Sequence, residues 1–233
     1  MKRLIRRDCP TVLVVSPPCT AFSIANQGEV SKQTLEGAVE MIRFSIEICE
    51  LQHKSGRHFI FEQPQSSRAW GLNEVMKLAY QEGVERTTFH QCMYGLEARD
   101  HRGVAPAYKP TSVLTNHPAL VEVLQTGCSG NPRHAQLIGK SACTQAARYP
   151  PGLCSAIVKG VQVIRNKRVK LDSALEMIEQ ARQGVSSGVD TIPGSSFDEA
   201  TLNLCPEDVL YEVELEDMCE QDPSTWEDLA SQR

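Results

Sequence analysis

At 233 residues, 41% of them hydrophobic and 23% charged, the chain fits an ordinary globular domain able to bury one sizeable core. No apolar run approaches the roughly 20 residues of a membrane-spanning helix, and the basic start Met1 to Arg7 leads into a run too short for a secretion signal, so a membrane partner is excluded and an intracellular location expected, nuclear in a eukaryote. The net charge of −5 conceals a division: residues 1–170 carry 22 Lys and Arg against 13 Asp and Glu, whereas 171–233 carry 2 against 16, and a basic body of this kind suits a polyanion such as DNA.

In chain order, Thr11 to Val15 is a β-branched apolar run without polar alternation, the pattern of a strand buried on both faces of a parallel sheet. It stops at Ser16-Pro17-Pro18. Leu35, Ala38, Val39, Ile42, Ile46 and Cys49 recur at spacings of three and four, which predicts a helix over about 33–53, closed by Gly56. His58 to Phe61 forms the next strand with Glu62-Gln63-Pro64 at its carboxyl end, and Leu72 to Tyr80 a helix closed by Gly83. Val84 to Cys92 supplies a third strand, 93–110 a polar loop, Thr111 to Thr115 a fourth strand, and Pro151 opens a helix. A helix over 171–183 and an acidic, flexible tail over 184–233 are expected next, the tail largely disordered, with Val209 to Val213 able to dock as a strand.

The alternation of strands and helices predicts an α/β fold, in which ligands bind beyond the carboxyl ends of the strands. Cys19 and Glu62 both fall there. Two prolines of fixed φ precede Cys19, and a polar segment able to begin a helical turn follows it; such a position exposes the sulfur and favours its thiolate. Nine cysteines without a Cys-x-x-Cys pair argue against a secreted disulfide framework and for thiols or a metal site. His90, Cys92, Cys128 and His134 mix thiolate and imidazole donors as zinc sites do, with Cys92, Cys128 and His134 as the candidate metal ligands. Trp70 reads as core packing, Thr115 to Pro118 as turn and capping chemistry, and Arg165 to Lys170 as a solvated helix end, a phosphate contact or an import signal.

Ser16-Pro17-Pro18-Cys19-Thr20-Ala21-Phe22-Ser23 resembles the Pro-Pro-Cys-Gln-x-Phe-Ser motif of the cytosine-C5 DNA methyltransferase family, and Phe61-Glu62-Gln63-Pro64 resembles its Phe-Glu-Asn-Val motif on the following strand. Tyr94-Gly95-Leu96 with Arg99 and Arg102 is similar, more loosely, to the family's Tyr-Gly-Val-Pro-Gln-x-Arg-x-Arg segment, and Tyr149-Pro150-Pro151 to its closing Asn-Ala-Val-Pro-Pro helix. The match covers about residues 9–165. It implies a partial Rossmann-like methyltransferase sheet with flanking helices, residues 1–170 forming the catalytic domain. Cys19 would add covalently to a cytosine, Glu62 would engage the N3 edge of the base, and the methyl group would come from S-adenosylmethionine held in part by Pro17. Ser23, Arg99 and Arg102 would hold the flipped nucleotide and its phosphates.

Three departures accompany the resemblance. The family's glycine-rich cofactor loop lies upstream of the Pro-Pro-Cys turn, and the 18 residues before Cys19 contain no glycine. Thr20 stands for glutamine, and Gln63-Pro64 for Asn-Val, where the family's asparagine helps fix the loop carrying the cysteine. The expectation is therefore a partial or truncated catalytic domain, its cofactor site completed by an N-terminal half or a second polypeptide. Two other readings stay open: a nonenzymatic nucleic-acid-binding module, truncated or from a mobile element, and a thiol hydrolase or transferase pairing Cys19 with His58, His90 or His101.

Overall fold

The computed structural model describes residues 1–23, 30–131, 133–135, 137 and 144–185. The expected acidic tail beyond Val185, with its Val209 to Val213 strand, lies outside the described residues. Helix α1 (Lys2–Asp8), which the sequence reading did not anticipate, ends at Cys9 in a left-handed conformation with φ 43°. Then follow β1 (Val12–Val15), α2 (Lys32–Lys54), β2 (His58–Pro64), α3 (Asn73–Ala79) and β3 (Glu85–His90). A hairpin of β4 (Glu97–Asp100) and β5 (Gly103–Pro106) precedes β6 (Pro110–Thr115), α4 (Pro118–Val123) and α5 (Pro151–Val185).

Mixed α/β content is as expected; the sheet, however, is mixed rather than purely parallel. Its order is β1-β2-β6-β3, with β1 and β2 parallel across the α2 connection and β6 antiparallel to both β2 and β3. Strand β2 is central and buried on both faces, which is why it reads as an apolar run without alternation. Phe59 and Phe61 point toward α2 and α3, packing with Ile42, Ile46, Cys49, Val75 and Leu78. Ile60 points the other way, into a second core with Phe89, Val113, Leu120, Leu153 and Ile164 beneath α4 and α5. Each fully buried side chain of this size contributes about 1.5–3 kcal/mol of apolar burial, and a helical layer on each face closes the sheet.

Two local expectations are corrected. The stretch 93–110 is not a plain loop: β4 and β5 pair through Glu97–Pro106 to Asp100–Gly103, burying Ala98 and Ala105 against Leu96, Ala107, Ala135 and Ala146. Alanines are too small to read as a hydrophobic alternation, so the hairpin stayed hidden. The helices expected from Pro151 and over 171–183 form one continuous helix, since no breaker interrupts Val169 to Asp172. His117 caps α4 as its position suggested, its Nδ1 accepting from the Ala119 amide at 3.1 Å. No helix among the described residues is long and apolar enough to cross a membrane.

Candidate functional site

The parallel register sets Val15 opposite Phe61, so β1 ends where β2 runs on to Pro64, and Ser16 comes level with Glu62. Beyond Ser16 the chain turns through Pro17 and Pro18 to Cys19, which stands immediately ahead of a 3-10 turn, Thr20–Phe22, and is half-buried. The expected helical turn after the cysteine is present. Its carbonyl accepts from the Phe22 amide at 3.0 Å, and Phe22 and Ala21 bury in the core, anchoring the turn from below.

Two side chains from the β2 end brace this turn. Gln63, fully buried, donates through Nε2 to the Pro17 carbonyl at 2.6 Å, while its amide oxygen accepts from Ser67 Oγ at 3.1 Å. Arg68, in the 3-10 turn Arg68–Gly71, donates to the Ala21 carbonyl at 3.2 Å. Trp70 packs edge-on against Phe61 with ring centroids 5.8 Å apart, and its indole N–H donates to the Pro64 carbonyl.

Glu62 is buried, and burial raises its carboxyl pKa above the ordinary value; the charge of Lys109 and hydrogen bonds from Tyr149 and Ser16 oppose the rise without cancelling it. Burial, followed by the Glu62 charge, holds the Tyr149 phenol well above its ordinary pKa. The Tyr149 hydroxyl and Ser16 Oγ lie 2.5 Å apart. Lys109 enters from the residue before β6, and its ammonium donates to the Ala146 carbonyl at 2.6 Å. Beside it, the Gln91 amide donates to the Lys109 carbonyl, and Gln91 Nε2 donates to Thr111 Oγ1 at 2.9 Å. The strand ends thus gather a carboxyl group, a phenol, a hydroxyl and an ammonium next to a braced thiol turn. The motifs single out Cys19 and Glu62, whereas Lys109 reads from sequence as turn and capping chemistry beside a strand and the side chains of Tyr149 and Arg68 have no assigned role, because their partners come from distant segments and leave no local signal.

The other expected residues are placed as follows. Pro17 is buried, with its carbonyl engaged by Gln63. Ser23 closes the 3-10 turn after Cys19, its amide donating to the Thr20 carbonyl. Arg99 and Arg102 are exposed on the β4–β5 hairpin, where Asp100 accepts from the Arg102 amide and pairs with Arg133. Among the histidines, His58 begins β2, at the sheet end opposite the Cys19 turn, and His101 is exposed near the hairpin tip.

Cys92, Cys128 and His134 do come together: their ligand atoms lie within 4.8 Å of one another and could hold a metal ion. Burial and the neighbouring Cys128 thiol push the Cys92 thiol up to about 11. His90, also weighed as a ligand, is occupied otherwise. Its Nδ1 accepts from the Cys128 amide at 2.9 Å and its Nε2 meets the Tyr108 hydroxyl at 3.1 Å.

A scan against protein-family models and searches of curated proteins and of solved structures find no match to this chain.

Proposed function

We propose that the chain is a cytosine-C5 DNA methyltransferase-like protein whose own residues engage a cytosine covalently, Cys19 as nucleophile and Glu62 as proton donor to the base. The observation that carries this reading is the Gln63 hydrogen bond to the Pro17 carbonyl. The resemblance assigns the residue after the glutamate to fixing the cysteine loop, and glutamine performs that task in place of asparagine. The raised Glu62 pKa supports the assigned role, because a carboxyl group that resists ionisation retains the proton that the base must receive.

The Cys19 thiol loses its proton to water; the thiolate sulfur bonds to C6 of a cytosine lifted out of the stack. The C5=C6 π pair moves to C4=C5, the C4=N3 π pair moves onto N3, and N3 takes the Glu62 proton. The result is an enamine, nucleophilic at C5, and the reverse step restores the base. Tyr149 and Ser16 orient the carboxyl group, and Lys109 stabilises the carboxylate that remains.

In the family, S-adenosylmethionine supplies the methyl group. The residues described here do not form a cradle for it: α1 occupies Lys2–Asp8 ahead of β1, no glycine precedes Cys19, and Pro17 is buried with its carbonyl engaged. No step is therefore assigned to a methyl donor. DNA as partner, the Rossmann-like ancestry of the sheet, and phosphate contacts by Arg99, Arg102 and Ser23 belong to the same proposal. The exposure of both arginines on one hairpin also favours a second reading, a nucleic-acid-binding module without catalysis. Denaturation-resistant capture of DNA containing pyrimidin-2-one, a base that accepts a thiolate at C6 without any methyl donor, separates the two.

A further inference from the structure

Away from the Cys19 site, two thiols and an imidazole from two separate parts of the chain converge where β3 ends. Cys92 belongs to the 3-10 turn Gln91–Tyr94 that follows β3, and Cys128 and His134 come after α4 in the chain. Cys128 Sγ and His134 Nε2 lie 3.4 Å apart. Tetrahedral zinc, with bonds of about 2.3 Å to sulfur and about 2.05 Å to nitrogen, sets such a pair about 3.6 Å apart. The distance therefore already matches an edge of the coordination polyhedron.

The surroundings are those of a ligand set held in place. The Gly130 amide donates to Cys128 Sγ at 3.3 Å and so holds the sulfur in place, and Gly130 makes this contact from φ 78°, a left-handed conformation suited to glycine. His90 accepts from the Cys128 amide and stacks on Tyr108, with ring centroids 5.0 Å apart; Tyr108 in turn lies edge-on to His134 at 5.3 Å. Partners that fix the orientation of ligating side chains in this way are a regular feature of metal centres.

We infer that Cys92, Cys128 and His134 bind a zinc ion, supplying three of its four tetrahedral positions, and that this ion clasps the loop after α4 to the end of β3. Binding releases the two thiol protons to water, so affinity falls as pH is lowered. The clasp also bears on the neighbouring site. Ala135 donates through its amide to the Pro106 carbonyl and bridges Ala107, Tyr108 touches both His90 and His134, and the next residue is Lys109, whose ammonium donates to the Ala146 carbonyl and whose charge acts on Glu62. Metal at the clasp thus fixes the segment that delivers Lys109. Neither the clasp nor its test depends on what Cys19 does.

The experiment is metal analysis of the purified full chain after growth with zinc, followed by replacement with Co(II). The expected result is a single zinc ion per chain, and for cobalt the intense thiolate-to-metal charge-transfer absorption with d–d bands of tetrahedral strength. Cys128→Ser and His134→Ala should lose the metal with their circular dichroism retained, whereas Cys19→Ser should keep it. Should either cluster variant prove unfolded, the cobalt spectrum of the unaltered chain decides alone. A folded chain that takes up no zinc, a cobalt spectrum without charge transfer, or metal content unchanged in folded Cys128→Ser and His134→Ala would overturn the inference.

Discussion

Gln63 Nε2 donates to the Pro17 carbonyl oxygen at 2.6 Å, tying the end of β2 to the turn that presents Cys19. Because Glu62 is the adjacent residue, one side chain sets the position of the thiol turn relative to the carboxyl group. Gln63 is fully buried, so its loss leaves a buried carbonyl without its donor, a deficit of about 1–3 kcal/mol. Gln63→Ala should therefore lower stability to chemical denaturation by about that amount. It should also change the rate at which a small alkylating reagent modifies Cys19, whereas the exposed Lys77→Ala, on α3, should alter neither.

Glu62 predicts a pH dependence of definite sign. Its folded pKa lies above the ordinary value of 4.5, so between that value and its raised one the folded chain holds a proton that the unfolded chain has released. Its contribution is complete below pH 4.5 and declines as pH rises through this window. Glu62→Gln removes the titration, so the stability of this variant relative to the unaltered chain should rise as pH increases. Denaturation curves at a series of pH values check this; a constant difference would contradict the buried, proton-retaining carboxyl group.

At the opposite sheet end the sign reverses. Burial first, and then the charge of His117, whose ring lies 4.6 Å away, depress the His58 pKa from 6.5 to about 4. The unfolded chain therefore takes up a proton that the folded chain refuses, and stability is lost as pH falls from 6.5 toward 4. His58→Asn should flatten this acid-side loss, measured by thermal denaturation, and leave the Glu62 effect in place.

Two glycines report on how closely α5 packs. A Cβ at Gly152 would overlap the Tyr94 carbonyl oxygen and sit 3.0 Å from its carbon, and one at Gly160 would meet Leu120 Cδ2 at 2.9 Å and the Ala119 carbonyl at 3.3 Å. Backbone yields less readily than a side-chain end. Gly152→Ala should destabilise by about 1–3 kcal/mol, and Gly160→Ala by less, since Leu120 can adjust. Gly152→Ala should also displace neighbouring Tyr149 and so perturb the Glu62 site, which the pH series detects as an altered slope.

Much of the scaffold was legible because single residues carried its signals. The β-branched run at Val12 to Val15, the apolar run through Phe59 and Phe61, and the spacing of Ile42, Ile46 and Cys49 marked β1, β2 and α2. The antiparallel insertion of β6 between β2 and β3 was not legible, since a strand's direction is set by pairing partners and not by its own composition. Nor was the β4–β5 hairpin, whose inward residues are alanines. At the site, Cys19 and Glu62 stood out through their motifs. Lys109 and Tyr149 did not, because their roles exist only once segments 47 and 87 positions from Glu62 have been folded against it. The Cys92, Cys128 and His134 grouping was readable from donor type alone, while the structural part of His90 required the Cys128 amide to be located.

The central claim, that Cys19 attacks a base which Glu62 protonates, is tested most directly by incubating the chain with DNA carrying pyrimidin-2-one and resolving the products under denaturing conditions. The account predicts a covalent protein–DNA species that Cys19→Ser abolishes and Glu62→Gln lowers by about 10²-fold in rate, as for removal of a general acid. A trapped species that survives Cys19→Ser, or none at all from folded chain that binds the same DNA, would contradict it.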